Sequence, residues 1–255
     1  MDLEIKELVA GARGLGIEIG PVQQRQFQDY ADLLQEWNRR MNLVRARGRE
    51  ELMRAHMLDS LWCSSVIDLR GNLRLLDIGS GAGFPGIPLR ICFPELKLFL
   101  LESQQKRSLF LAEAIRRLGL DNSMVLTGRA EELARKETYR ESFACVVARA
   151  VAPMTVLAEL AVPFVAKGGH LIALKGGAAE EEIAGAAYAV EQVGGAIERV
   201  IPYRFPGENG RSVISIKKVV PTPERYPRRS GIPAKRPLLE KGACRKNGNG
   251  VERVE

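Results

Sequence analysis

The chain has 255 residues, of which 45% are hydrophobic, 27% charged and 6% aromatic. That is enough chain to bury one large core, and it excludes a disordered, collagen-like or disulfide-stapled protein. The formal net charge of +7 is unevenly placed: residues 1–216 hold 27 Lys and Arg against 27 Asp and Glu, and residues 217–255 hold 11 against 4. A neutral body with a basic tail points to a polyanionic partner, nucleic acid before membrane, against the plainer reading of a solubilising tail.

The first 70 residues read as a helical segment. Phe27, Tyr30, Leu33, Leu34, Trp37 and Met41 recur at helical spacing and form one apolar stripe, read as core packing, and a second helix is predicted from Arg49 to Val66. From Leu73 onward short apolar runs alternate with helical stretches. Strands are predicted at Leu73–Ile78, Lys97–Glu102, Met124–Thr127, Phe143–Ala148 and His170–Lys175, with helices at Gln104–Leu118, Pro153–Val165 and Ala179–Gln192. The alternation predicts an α/β fold, a Rossmann-like and mostly parallel sheet covered on both faces. Two last strands near Ile197–Tyr203 and Ser212–Lys218 are joined by a loop holding Pro206, Gly207, Asn209 and Gly210, which predicts a hairpin and an antiparallel edge. Past Val220, prolines at 221, 223, 227, 233 and 237 interleave with basic residues and predict an extended tail, with Lys241–Glu255 disordered. The expected organisation is therefore 1–70 helical segment, 71–220 main domain and 221–255 tail.

No apolar run reaches the roughly 18 residues of a membrane helix, and the start MDLEIKELVA has no apolar signal core, so a cytoplasmic protein without a membrane partner is expected. Cys63, Cys92, Cys145 and Cys244 form no C-x-x-C pair and the two histidines are far apart. Reduced thiols and no metal are expected.

The most informative stretch is LLDIGSGAGFPG, residues 75–86. An apolar strand ends at Asp77 and opens through glycines into a helix, so backbone and free helix N–H groups face a ligand at the carboxyl edge of the sheet. The next strand ends in Glu102, an acid placed to take both ribose hydroxyls. Gly81-x-Gly83-x-x-Gly86 matches the dinucleotide fingerprint, which keeps an NAD-dependent oxidoreductase open, but that register starts late and sets Phe84-Pro85 where a pyrophosphate needs open backbone. The register Asp-x-Gly-x-Gly-x-Gly instead fits the S-adenosyl-L-methionine loop of class I methyltransferases, with Gly79, Gly81 and Gly83 beside the methionine portion. Ala130 and Glu131 follow the third strand, where backbone and an acid can meet an adenine edge, and Arg149 follows the fourth.

The chemistry is constrained by what is missing. No Asn/Asp-Pro-Pro-aromatic motif follows the fourth strand, as attack by an exocyclic amine would want. Cys92 and Cys145 sit away from the strand end where a nucleophile for a pyrimidine carbon would stand. Guanine N7 needs neither base nor nucleophile, because its in-plane lone pair carries no proton; alignment supplies most of the barrier reduction. Arg149 and Lys175 are candidates for positioning the guanine through its Hoogsteen edge.

The glycine run, with NLVRA at 42–46, HMLDSL at 56–61, GRAEEL at 128–133, ARAVAPM at 148–154, ALKGG at 173–177 and YPRRSGIPAKRPL at 226–238, closely resembles the RsmG (GidB) family of bacterial 16S ribosomal RNA guanine-N7 methyltransferases, over about residues 20–238. The resemblance implies S-adenosyl-L-methionine as cofactor, the small ribosomal subunit as partner, and a decoding-region guanine, guanine 527, as substrate. It also implies cofactor contacts at Gly79, Phe84, Ala130, Glu131 and Arg149, with Glu102 on the ribose. One departure is Ala148, where the family often has Ser. Asn42, His56, Asp59 and Ser60 match its motifs with two roles open: closing over cofactor or RNA, or fixing the helical cap on the sheet. Arg225, Arg228, Arg229, Lys235 and Arg236, with Arg211 extending them, form the expected RNA-binding strip. A monomer is expected, and a non-catalytic RNA-binding protein with this fold is the remaining alternative.

Overall fold

The computed structural model describes residues 3–177, 179–205 and 209–240. The predicted turn residues Pro206 and Gly207 and the predicted disordered segment 241–255 lie outside these. Two N-terminal helices, α1 (Leu3–Gly14) and α2 (Pro21–Asn38), lead into an irregular helical run. Pro21 starts α2, where its missing N–H costs nothing, and the Gln23 side chain accepts the Gly20 N–H at 2.7 Å. Met41 of the predicted stripe falls beyond the end of α2, and Trp37 is half-buried. The run comprises α3 (Arg49–Leu52), a π-helical segment (Met53–Leu58), α4 (Asp59–Leu61) and a 3₁₀ turn (Trp62–Ser65). Where one regular helix was predicted, the wide π turn changes the phase; such turns cluster at functional sites, and His56 lies in this one.

Seven strands follow: β1 (Arg74–Ile78), β2 (Lys97–Glu102), β3 (Ser123–Thr127), β4 (Phe143–Arg149), β5 (Val165–Gly176), β6 (Gly195–Tyr203) and β7 (Arg211–Lys218). Their order is β3-β2-β1-β4-β5-β7-β6. The pairs among β1 to β5 are parallel, and β7 is inserted antiparallel between β5 and β6. The predicted hairpin and antiparallel edge are present, with β6 outermost. The crossovers carry α5 (Gly86–Cys92), α6 (Gln105–Arg117), α7 (Ala130–Leu133), α8 (Met154–Ala161) and α9 (Ala179–Gln192). β5 begins five residues before the predicted start; Lys167, Gly168 and Gly169 hide its first part from an apolar pattern.

Side chains alternate across the sheet. Leu75, Cys145, Val147, Ile172 and Leu174 join one core with Ile5, Leu8, Phe27 and Tyr30, so the first 70 residues and one sheet face share a single core. Leu76, Val146, Leu171 and Ala173 join the other, with Leu157, Ala189 and Tyr226. Burial of Cys63, Cys92 and Cys145 pushes their thiols up, as inert packing groups require.

The segment after β7 is extended as predicted, but it is docked. Tyr226 is buried, and the short α10 (Ile232–Lys235) follows. The Arg228 guanidinium holds the fully buried Glu159 carboxylate, Nη2 to Oε2 at 2.6 Å and Nε to Oε1 at 2.9 Å, and the Arg228 N–H adds a bond of 2.8 Å. Lys218 and Thr222 lock its root: the Lys218 ammonium meets the Glu141 carboxylate at 2.9 Å and also donates to the Thr222 hydroxyl.

Candidate active site

The β1 strand delivers Asp77 into the core, where its Oδ2 accepts the Gly86 N–H at 2.9 Å and fixes the start of α5. Burial drives this carboxyl up to about 7, the Gly86 bond opposing the shift. Between the two residues the loop turns through Gly79, Gly81 and Gly83, all with positive φ (66°, 56° and 91°). The three serve different ends. A Cβ on Gly83 would lie 2.4 Å from Ile87 Cδ1 and 2.8 Å from the Tyr30 hydroxyl, and one on Gly79 2.9 Å from Val151. A Cβ on Gly81 would meet nothing nearer than a carbonyl oxygen at 3.8 Å, so Gly81 faces open space. From α2, the Tyr30 hydroxyl donates to the Ala82 carbonyl and ties the helical segment to the loop. Tyr30 reads as core packing in the sequence stripe, because periodicity says nothing about a hydroxyl at the end of a buried ring.

Glu102, at the end of β2, accepts the Gly81 N–H at 3.0 Å through Oε2 and the Gln104 N–H at 2.8 Å through Oε1. Its carboxylate therefore borders the open side of Gly81. Ala130 starts α7 beyond β3, with its backbone at the same sheet edge. Glu131 Oε1 accepts the Gly231 N–H at 2.9 Å, so the docked tail reaches this expected cofactor contact. A Cβ on Gly86 would stand 2.8 Å from Asp77 Oδ2 and 2.9 Å from Leu100, so this glycine lets α5 pack closely against β1 and β2.

At the end of β4 lies a dense polar cluster. Arg149 stacks on the Phe84 ring at 4.7 Å and donates to Asp59 Oδ2 at 3.1 Å, the Ala55 carbonyl at 3.3 Å and His56 Nδ1 at 2.8 Å. A guanidinium only donates, so Nδ1 must accept; the imidazole proton then sits on Nε2, which donates to the Arg45 carbonyl at 3.1 Å. Burial and the adjacent Arg149 charge lower His56 to about 4. Asp59, 2% exposed, is shared: Tyr203 donates to its Oδ1 at 2.7 Å and Arg211 meets it at 2.6 Å. Arg211 therefore lies in the site and not along the tail. The sequence hides this because β7 starts at Arg211 in register with Tyr203, a pairing only the sheet creates. Lys175 is drawn away from the role first expected of it. Its ammonium is held by Glu182 at 2.7 Å and the Ala152 carbonyl at 2.6 Å. Ala150 adopts φ 55°, an unusual conformation for alanine, where the chain leaves β4.

Arg149, His56, Asp59, Lys175, Arg211 and Glu51 contribute to the wall of a pocket of ≈ 500 Å³, which adjoins a second of ≈ 800 Å³ lined by Arg47, Arg54 and Gly177 among others. Glu51 had no marking in the sequence beyond an ordinary helix position, and Arg45 was marked only as part of the NLVRA motif. Away from the site, Arg225, Arg229, Lys235 and Arg236 present exposed side chains, whereas Arg228 is committed to Glu159. Asn42, whose role the sequence left open, is exposed and has no hydrogen-bond partner among the described residues. Among the described residues no His, Cys, Asp and Glu cluster could hold a metal, and no helix is long and apolar enough to cross a membrane.

His56 and Asp77 oppose one another in stability. His56 is depressed below 6.5, so acidification from 6.5 to 4 protonates the unfolded chain first and stability falls; Asp77 is raised from 3.8 to about 7, so over the same range the folded chain takes up the proton and stability rises. Substituting His56→Gln removes the first effect alone. The stability difference between wild type and the variant should shrink by about 3 kcal/mol from pH 7 to pH 4, read from urea midpoints at each pH; a constant difference contradicts the neutral His56.

Sheet order, glycine loop and acid at the end of β2 together define a Rossmann-like class I methyltransferase fold. Solved structures agree: a putative sarcosine dimethylglycine methyltransferase from Galdieria sulphuraria aligns at TM-score 0.52 and 11% identity over 75% of this chain and 98% of that one. A mutant of MtNAS in complex with S-adenosylmethionine aligns at TM-score 0.51 and 16% identity over 85% and 78%. A family model described as GidB, rRNA small subunit methyltransferase G, matches residues 23–204. Ribosomal RNA small subunit methyltransferase G of Pelotomaculum thermopropionicum is 44% identical over 93% of this chain and 100% of its own length, and that of Lachnoclostridium phytofermentans 46% over 91% and 97%. The chain belongs to the rRNA small subunit methyltransferase G (GidB) family.

Proposed function

We propose that this protein transfers a methyl group from S-adenosyl-L-methionine to N7 of a guanine in 16S ribosomal RNA, guanine 527 by the family resemblance. The observation that carries the reading is a ligand cradle, the open Gly81 backbone bordered by Glu102, meeting a pocket whose His56, Asp59 and Lys175 are already engaged by protein partners. The cradle fits the cofactor. Gly81 leaves the space a side chain would fill, Glu102 has acceptor capacity for ribose hydroxyls, and the Ala130 backbone stands where the adenine edge would lie. When bound, the cofactor supplies an electrophilic methyl on a sulfonium.

The chain's own groups align and exclude. Both ring nitrogens of His56 are engaged, Asp59 holds three donors, and Lys175 is paired, so none of them is set to take a proton. Attack by N7 releases none: the bond to carbon forms as the sulfur–carbon bond breaks, and the positive charge moves to the base. Arg149 and Arg211 would anchor the RNA, Arg149 held by Asp59 and the Phe84 face so that its geometry is set before the base arrives. The exposed Arg225, Arg229, Lys235 and Arg236 would contact phosphates as the enzyme, acting as a cytoplasmic monomer, docks on the small subunit.

The test is methyl transfer from labelled S-adenosyl-L-methionine to small subunits lacking the endogenous modification, with mass mapping of the 16S RNA. One new methyl on a single guanine N7 is expected. Cofactor binding without incorporation into subunits, assembly intermediates or naked RNA would leave the non-catalytic RNA-binding alternative.

A further inference from the structure

We propose that Glu51 is the residue that selects guanine, by accepting hydrogen bonds from its Watson–Crick edge, N1–H and N2–H. The inference rests on the reading above, which gives the reaction but not what distinguishes the acceptor base.

Glu51 lines both the 500 Å³ pocket and the outer 800 Å³ one, whereas Arg149 lines only the first. The inner pocket therefore has an inner wall at Arg149, resting on Phe84 of the glycine loop, and an outer wall at Glu51. A guanine whose N7 faces the glycine loop points its opposite edge outward, toward that wall. That edge of guanine presents two adjacent donors. The same edge of adenine presents an acceptor, N1, beside its donor, and a carboxylate there repels it.

The carboxylate has the capacity. The Arg47 N–H donates to Oε2 at 2.5 Å, and among the described residues no donor is bonded to Oε1. Each oxygen has two lone-pair sites, so both can still accept from a base. Asp59, the other carboxylate lining this pocket among the described residues, is 2% exposed and already accepts from Arg149, Arg211 and Tyr203. Glu51 thus supplies the acceptor, while the guanidinium groups around it serve O6 and phosphates.

The contact also strengthens along the reaction. Methylation leaves the purine cationic, which makes N1–H a stronger donor and improves its bond to a carboxylate. Interactions that tighten only in the transition state raise kcat. Glu51 is therefore expected to act on kcat more than on KM.

The experiment uses full-length protein and small subunits reconstituted with 16S RNA carrying guanine or inosine at the methylated position. Inosine keeps N7, O6 and N1–H and lacks only the N2 amino group. Wild type should prefer guanine by about 10- to 100-fold in kcat/KM, the worth of one hydrogen bond to a charged acceptor. In Glu51→Gln, which can still accept from the Arg47 N–H and so keep the local fold, kcat should fall and the guanine-to-inosine ratio should collapse toward one. A structural role would slow both substrates alike and preserve the ratio, and that result overturns the assignment. If wild type methylates neither RNA, the functional reading itself fails, and this inference with it; guanine methylation with an unchanged ratio removes only the role of Glu51.

Discussion

Substituting Gly81→Arg should abolish cofactor binding, by more than about 1000-fold, while leaving the protein folded. Gly81 sits at φ 56° with its Cβ direction open, so a side chain there occupies the ligand's space without meeting protein. The folding cost is limited to the left-handed backbone, roughly 1–2 kcal/mol. Gly83→Ala should behave in the opposite sense. Its Cβ would press on Ile87 and on the Tyr30 hydroxyl that holds the loop, so backbone strain and overpacking add to about 2–5 kcal/mol. Calorimetric titration with S-adenosyl-L-methionine, beside thermal melts, separates the two. A Gly81→Arg protein that binds normally would remove the cofactor from this loop. Two glycines two residues apart in one motif would then differ because one faces ligand and the other faces core.

The second large effect is expected at the tail. Arg228→Ala strips the guanidinium from Glu159, whose carboxylate is fully buried, and leaves it only the backbone N–H of residue 228. Breaking a buried pair from one side costs about 3–5 kcal/mol, a fall in Tm on the order of 10 °C for a chain of this size. Truncation after Val220 should destabilise further, because it also removes the buried Tyr226. The exposed Arg229, Lys235 and Arg236 can be replaced by Ala together with little change in Tm. If they contact phosphate, each flattens the salt dependence of RNA binding by roughly 0.7–0.9 in slope. An Arg228→Ala protein that melts like wild type would refute the docked tail; an unchanged salt slope in the triple variant would refute the phosphate contacts.

Much of this protein was determined by sequence alone, for local reasons. The order strand, glycines, helix, strand, acid is a run of backbone requirements and apolar periods, and these act over a few residues. It therefore marked β1 to β4, the loop from Gly79 to Gly86 and the position of Glu102 within a residue or two. The ARAVAP stretch likewise placed Arg149 at the sheet edge.

Only the tertiary structure decided which charges are committed and which are available. Lys175 and Arg149 look equivalent in sequence, two cations at strand ends, yet Glu182 takes one and Asp59 and Phe84 orient the other over the pocket. Arg228 and Arg229 are adjacent, and one is a buried structural pair while the other is exposed. Arg211 reached Asp59 because β7 inserts between β5 and β6. Ion pairing and burial depend on groups brought together from positions far apart in the chain, and the strength of a charge contact depends on what excludes water around it. Neither quantity is written in a local pattern, so the loop that cradles a ligand was legible and the partners of its neighbouring arginines were not.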